Sequence, residues 1–233
     1  VGLALLGLWR AGRIQDIVRD RAPTADPDTS AFWRVFMILT ITMACNGFVY
    51  AGLTNTMPKI LETGLSASLD MSYTQIGIYV GLVSGLASFS SILGGWMADR
   101  YSARSIYVVF WLLQVPLLFV IVSLSGAPLL LALLMVMCVL LSFAAAENML
   151  VAYYTPFRWR AVAYGAKFVL ALGVGGLTVH LAGALFDRDG DFALLFILFG
   201  SAAILAAAAA FLLPQSPPRI AAGAGPAVTP GAG

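Results

Sequence analysis

The chain has 233 residues, of which 61% are hydrophobic and only 10% charged, and its formal net charge is +2. A soluble domain has roughly 25% charged residues, so this composition excludes a soluble enzyme core and indicates a protein that lies in the lipid bilayer. The small net charge predicts no nucleic-acid partner. One histidine and two cysteines, both within apolar segments, predict no metal site and no cofactor.

The first 31 residues divide into an apolar stretch and a polar one. Residues 1–8 are apolar, and Trp9, Arg10 and Arg13 follow them. A signal peptide carries its basic residues before the apolar run, so we interpret residues 1–8 as the tail of a preceding transmembrane helix. Residues 9–31 are polar and of mixed charge, which predicts a cytoplasmic linker. The chain is therefore expected to be a fragment of a longer protein.

Six long apolar segments follow, each with about the 20 residues needed to cross the hydrocarbon core. We predict an all-α membrane protein in which residues 32–213 form a six-transmembrane-helix bundle. Pro58 is expected to end the first helix and Pro116 to kink the third, because proline cannot donate to the helix ladder. Gln114 is expected to repair that kink, and residues 214–233 to form a disordered cytoplasmic tail. The predicted helices cover residues 32–57, 73–98, 105–124, 128–154, 161–186 and 192–213.

The basic residues indicate the orientation in the membrane, because cytoplasmic loops carry an excess of Lys and Arg. The opposite side has only Lys59 and Arg188, and Lys167 lies within a span. Both ends are therefore predicted to face the cytoplasm, in the cell membrane. Ten of the thirteen basic residues fall on the cytoplasmic side: Arg10, Arg13, Arg19, Arg21, Arg34, Arg100, Arg104, Arg158, Arg160 and Arg219.

A short motif follows the second span. Gly95, Asp99, Arg100 and Arg104 are spaced as in the glycine–aspartate–basic loop of the major facilitator superfamily, and the segment resembles the copy between that family's eighth and ninth helices. Ser102 stands where the family usually has glycine. The resemblance implies a gating loop, in which Asp99 contacts a neighbouring helix end and releases it when the conformation changes. The alternative is a solvated loop that only sets topology.

The segment from Pro156 to Asp187 is also similar to the tenth-to-eleventh helix region of that family. The resemblance therefore covers essentially the whole chain. It implies that residues 32–213 are helices seven to twelve, half of a twelve-helix major facilitator fold. Its partners would then be the lipid bilayer, a small-molecule substrate and the N-terminal six-helix half of the same transporter.

Two charges fall inside the predicted spans. A charge near a helix centre costs about 2.5–3.5 kcal/mol on insertion scales, so it normally has a partner or a hydrated cavity. Glu147 and Lys167 lie at a similar depth, each about 10 Å from the cytoplasmic end of its helix at 1.5 Å per residue. We therefore expect a Glu147–Lys167 pair. It can be a structural pair that fixes helix packing or a part of the transport pathway.

The first span carries polar residues four apart: Thr42, Asn46, Tyr50 and Thr54. The resemblance implies that this helix and the fourth line a central cavity, with Asn46 and Tyr50 as substrate contacts and Glu147 opposite. The alternative is hydrogen bonding between helices, which such residues commonly form in membranes. Two glycine series also predict close helix packing: Gly77, Gly81 and Gly85, and Gly173, Gly176 and Gly183.

The predicted function is a secondary active transporter that moves a small solute by alternating access. Proton coupling through Glu147 is left open. Lys167 slightly favours a small organic anion, and the aromatic-rich spans leave a hydrophobic drug open. The alternative is a self-contained six-helix protein, acting as an assembly subunit or a membrane-embedded enzyme. The sequence contains no paired histidines, Ser-His-Asp set or HExxH motif, so we predict that the chain is not an enzyme.

Overall fold

The computed structural model describes residues 29–65, 72–155 and 159–214. They form six α-helices, each long and apolar enough to cross a membrane, and these residues contain no strand. The predicted all-α six-helix bundle is confirmed. The predictions for residues 1–8, for the linker up to residue 28 and for the tail after Pro214 lie outside the described residues. The helices are α1 (Thr29–Leu65), α2 (Tyr73–Arg100), α3 (Ala103–Ile121), α4 (Gly126–Tyr154), α5 (Arg160–Asp189) and α6 (Ala193–Phe211).

Helix α1 differs from its prediction at both ends. It begins at Thr29, within the segment predicted as linker, and it continues through Pro58 to Leu65. The prediction that Pro58 ends the helix is wrong because the turns beyond it are anchored by burial, with Ile60 and Leu61 at 3% and 1% exposure. Burial of these turns keeps the helix continuous although Pro58 cannot donate to the Thr54 carbonyl.

The helices pack in two equivalent sets. Helix α1 packs along α5 and α2 along α4, while α3 lies against α4 and α6 lies against α1. Exchanging the first three helices with the last three leaves this pattern of neighbours unchanged, and α3 and α6 contact each other directly. The bundle therefore has the arrangement of a three-helix repeat used twice, with the second copy inverted because an odd number of spans reverses direction.

Small residues allow the two main helix pairs to approach closely. A Cβ atom at Gly47 would lie 2.7 Å from the Cα atom of Ala171, so α1 and α5 touch through their backbones. Helices α2 and α4 meet at Gly94, where a Cβ atom would collide with the backbone of Ser142. At the same contact, the Ser142 hydroxyl donates to the Ser90 carbonyl at 2.9 Å.

The two predicted glycine series do not make these contacts. A Cβ atom added at any of their members would meet nothing within 4 Å in the described bundle, so these glycines do not pack its helices together, and close approach to another helix stays a prediction. They lie on α2 and α5, the helices with the least buried apolar segments. Only 17% of those segments is buried, against 44% to 56% in the other four helices. The series therefore lie on outward faces of α2 and α5.

Candidate functional site

The expected ion pair is present between α4 and α5. Lys167 Nζ lies 2.7 Å from Glu147 Oε1, with the carboxylate side chain fully buried and the lysine side chain 13% exposed. The contact is an ion pair without hydrogen-bond geometry at that oxygen. The short connection between two antiparallel helices brings the two positions to the same depth. Each charge is therefore compensated in a part of the bundle where an isolated charge would be costly.

Two asparagines complete a four-residue network around the pair. Asn46 on α1 donates from Nδ2 to Glu147 Oε2 at 3.1 Å, so the carboxylate is approached by a group on each of two helices. Lys167 donates to Asn148 Oδ1 at 2.7 Å. Asn46 was predicted at this site, whereas Asn148 was not. The available signal was its place beside Glu147 in an otherwise apolar helix.

The other predicted pathway residue does not reach the pair. Tyr50 lies one turn beyond Asn46 along α1, and its side chain is 42% exposed. Thr42, one turn before Asn46, is buried and its hydroxyl donates to the Leu39 carbonyl at 2.9 Å. The polar stripe of α1 thus brings a single residue, Asn46, into contact with the buried charge.

Aromatic residues of α3 lie behind the pair. The Tyr107 and Trp111 rings pack around Phe143, with ring centroids 5.7 and 5.1 Å from it. The Tyr107 phenol lies beside Thr42 and within electrostatic range of Glu147. Sequence reasoning missed Tyr107, because an aromatic residue in an apolar span gives no signal that it lies near a charge on another helix.

Gln114, further along α3, does not have the predicted role of repairing the kink at Pro116. Its side chain is fully buried, and within the described bundle neither its amide oxygen nor its amide nitrogen has a hydrogen-bond partner. The prediction is wrong because α3 is packed between α4 and α6, and the amide is enclosed there without a bond to the backbone near Pro116.

The predicted gating loop is mostly helical. Gly95, Asp99 and Arg100 lie in the last two turns of α2, and the Tyr101 amide continues the helical bonding by donating to Met97. The Arg100 guanidinium stacks on the Trp96 ring at 4.7 Å. Asp99 is exposed, and no ion pair forms with it in the described bundle. The helix continues here because only Tyr101 and Ser102 are needed to turn into α3.

Ser102 replaces the usual glycine of the motif without straining the turn. Its φ is −63°, and it caps α3 by accepting a hydrogen bond from the Ser105 amide at 3.2 Å. A glycine is required only where φ is positive or the backbone is approached closely. Serine is a preferred N-cap residue, so the departure from the family pattern gives a defined helix start.

Arg104 connects helices rather than lying free in a loop. Its Nη2 donates to the Phe211 carbonyl at 2.9 Å, in the last turn of α6. The Tyr154 hydroxyl at the end of α4 donates to the neighbouring Pro214 carbonyl at 2.8 Å. The carbonyl end of a helix carries partial negative charge, so a guanidinium placed there is favourable. Arg104 thus satisfies a carbonyl at the end of α6, and Tyr154 binds the chain just beyond it.

Metal chemistry has no candidate site in these residues. Over 29–65, 72–155 and 159–214, no group of three or more His, Cys, Asp or Glu side chains is placed to hold an ion. Cys45 and Cys138 are both free thiols. The arrangement at Glu147 can instead hold a proton, exchange an ion-pair partner or bind a polar group of a solute.

Comparison with protein families gives one finding. The family model described as Major Facilitator Superfamily matches residues 39–229, a range that includes most of α1 and all of α2 to α6. A comparison with curated proteins finds no match.

Proposed function

Because the chain belongs to the major facilitator superfamily, we propose that it forms part of a secondary active transporter, which moves a small solute across the membrane by alternating access. The chain is a multi-pass membrane protein, and members of this family are transporters rather than enzymes. The buried Glu147–Lys167 pair supports the mechanism. Ionisable groups within a membrane bundle typically mark substrate or proton pathways, and secondary transporters bind their solute near the midplane.

We propose that α1 to α6 are helices seven to twelve and that a second six-helix bundle packs against them. The shallow burial of α2 and α5 supports this arrangement. The outward glycines of those helices, such as Gly81 and Gly176, leave room for another backbone to approach closely. A bundle complete in itself has no need for two such faces, so this argues against the self-contained alternative.

We propose that the end of the bundle where α1 begins faces the cytoplasm. Arg104 lies in the first turn of α3, Arg160 begins α5, and Arg100 ends α2. This clustering of basic side chains at one end supports the positive-inside orientation. Both ends of the chain would then lie on the cytoplasmic side of the cell membrane.

The proposed transport pathway contains Asn46, Tyr50, Glu147 and Lys167. Asn46 and Lys167 hold the Glu147 carboxylate from two helices, so any movement of α1 relative to α5 changes its surroundings. Protonation of Glu147 would weaken both contacts, which couples a proton to that movement. The exposed Tyr50 ring is available on the same helix for a solute.

We propose that Asp99 and Arg100 act in gating, together with Gly95 in the same helix end. Asp99 is exposed without an ion pair in the described bundle, so its carboxylate is free for a partner in the other six-helix half. Arg104 belongs to the same motif, and its contribution would be to hold α3 against α6 while the motif moves.

The proposal is tested with the full-length protein in liposomes that contain a pH-sensitive dye. A panel of neutral, anionic and cationic solutes is added outside, and solute-dependent proton entry is recorded. We expect one solute class to drive proton entry in the wild type and not in Glu147→Gln. Glu62→Gln is the matched control, because Glu62 pairs with Lys59 on an exposed part of α1. Radiolabelled solute that accumulates equally in wild type and Glu147→Gln would rule out the proposed proton coupling.

A further inference from the structure

The side-chain amide of Asn148 uses its oxygen in a hydrogen bond, whereas its nitrogen remains available as a donor. Its Oδ1 accepts from Lys167 Nζ at 2.7 Å. Its Nδ2 makes no hydrogen bond to the protein in the described bundle, and the residue is exposed. Lys167 is 13% exposed whereas Glu147 is fully buried. A solute that reaches the network therefore meets hydrogen-bond donors first and the carboxylate last.

The two donors are close enough to bind one group together. Since the oxygen and nitrogen of an amide share one carbon, Asn148 Nδ2 lies within about 5 Å of Lys167 Nζ, a gap that one carboxylate bridges with two hydrogen bonds. The ammonium has three donors, and in the described bundle it donates to Asn148 while its contact with Glu147 is an ion pair. A donor that Asn148 does not use can bind an incoming anion without breaking the Lys167–Asn148 hydrogen bond.

We propose that Lys167 and Asn148 form a binding site for the carboxylate of a small organic anion, and that Glu147 takes up a proton when the anion binds. This inference rests on the proposed transport function and names its substrate class. The free site is neutral, with one carboxylate and one ammonium. A second carboxylate would give it a net negative charge, and like charges a few ångströms apart do not both stay ionised in a buried site.

In the described bundle, Lys167 is the sole cation in contact with Glu147. Tyr107 on α3 lies within electrostatic range, and Cys45 on α1 interacts with Tyr107. Ser90 on α2 contacts Cys138 on α4, and Asp99 and Glu147 lie equally far along their helices from this contact. Asp99 is therefore near the level of Glu147, but the Asp99 side chain is exposed. Helix α6 has no titratable residue. One ammonium thus serves two carboxylates once the anion is bound, which favours protonation of the enclosed one.

A small cavity lies beside Lys167. A cavity of about 10 Å³ between α1, α4 and α5 is lined by Lys167 together with residues such as Leu39 and Thr155. This volume is about that of one water molecule. The cavity therefore has room for one water molecule in contact with the Lys167 side of the pair.

The test measures binding of benzoate to the purified full-length protein by calorimetry, in buffers of different ionisation enthalpy that report proton uptake. Benzamide and benzylamine are the neutral and cationic controls. We expect benzoate alone to bind, with uptake of about one proton per anion. Binding of benzamide as tight as benzoate, binding without proton uptake, or no binding of benzoate would each overturn the inference.

Two variants localise the site. Asn148→Asp keeps an oxygen for Lys167 but replaces the free donor with a carboxylate, so benzoate binding should weaken at least about tenfold. Asn55→Asp is the matched control, because Asn55 is an exposed asparagine of α1 beyond Tyr50, and it should bind as the wild type does. Unchanged benzoate affinity in a folded Asn148→Asp would overturn the site.

The outcomes also separate this inference from the transport function. Transport of a neutral or cationic solute by a protein that does not bind benzoate overturns the inference and leaves the transporter in place. Benzoate binding with proton uptake, in a protein that moves no solute in liposomes, supports the site and removes the proposed transport.

Discussion

Glu147 and Lys167 form a contact of 2.7 Å in which one partner is wholly buried and the other reaches the surface of the bundle. The two charges therefore differ in their access to water if the contact is lost. A lysine with a long flexible stem can move its charge towards water. The glutamate is enclosed, and its charge has no such escape.

This asymmetry predicts that Lys167→Met destabilises the protein more than Glu147→Gln. Stranding one charge of a buried pair costs about 3–5 kcal/mol, and the buried carboxylate should approach that range. The double variant should unfold at a higher temperature than Lys167→Met alone. The measurement is the fraction of detergent-solubilised protein that survives heating. Equal effects of the two single changes, or effects that simply add, would contradict a coupled pair.

Gly94 and Gly81 lie on the same helix and should respond oppositely to alanine. At Gly94 the new methyl group would collide with the Ser142 backbone, so we expect a loss of about 1–3 kcal/mol from overpacking. At Gly81 nothing lies within 4 Å, and alanine favours the helix by up to about 1 kcal/mol. Thermal stability of the two variants checks this. A destabilising Gly81→Ala would contradict an open face at this position and would be expected if the proposed second six-helix half packs there.

Arg104→Ala should loosen the bundle, whereas Arg100→Ala should leave its stability nearly unchanged. Arg104 is partly buried and bonds to the end of α6; a hydrogen bond from a charged group contributes about 1.5–3 kcal/mol, less where it is exposed. Arg100 is exposed and stacks on Trp96. Hydrogen exchange of the last turn of α6 measures the difference. No change there in Arg104→Ala would show that the bond does not hold the helix end.

Asp99→Asn should slow transport with little effect on equilibrium solute affinity. The side chain is exposed at a helix end and touches none of the network around Glu147, so its proposed role lies in the conformational change. Transport rates in liposomes and solute binding in detergent separate the two effects. A large loss of affinity with a normal rate of conformational exchange would assign Asp99 to binding instead.

Much of the architecture could be predicted, because the bilayer imposes span length and composition and leaves few alternatives. The Glu147–Lys167 pair could be predicted from depth alone, since α4 and α5 are antiparallel neighbours. Asn148 could not, because adjacent helix positions point about 100° apart and only the packing decides which of them reaches Lys167.

The errors have a common physical origin in tertiary contacts. Pro58 lies within a helix because burial of the following turns outweighs the lost hydrogen bond. Gly94 packs closely whereas Gly81 does not, although both occur in similar small-residue stretches. Spacing identifies a face that permits close approach, but the face turned towards a neighbour depends on the whole bundle.

The end of α6 has a mechanical consequence. The Phe211 carbonyl in its last turn is bound by Arg104 from the first turn of α3, and the Pro214 carbonyl just beyond it by Tyr154, the last residue of α4. Tension applied through the chain beyond Pro214 is therefore shared with two other helices before α6 can be pulled out. The end of the last helix is therefore held against separation from the bundle. Under tension, α6 should detach in one step rather than unwind turn by turn.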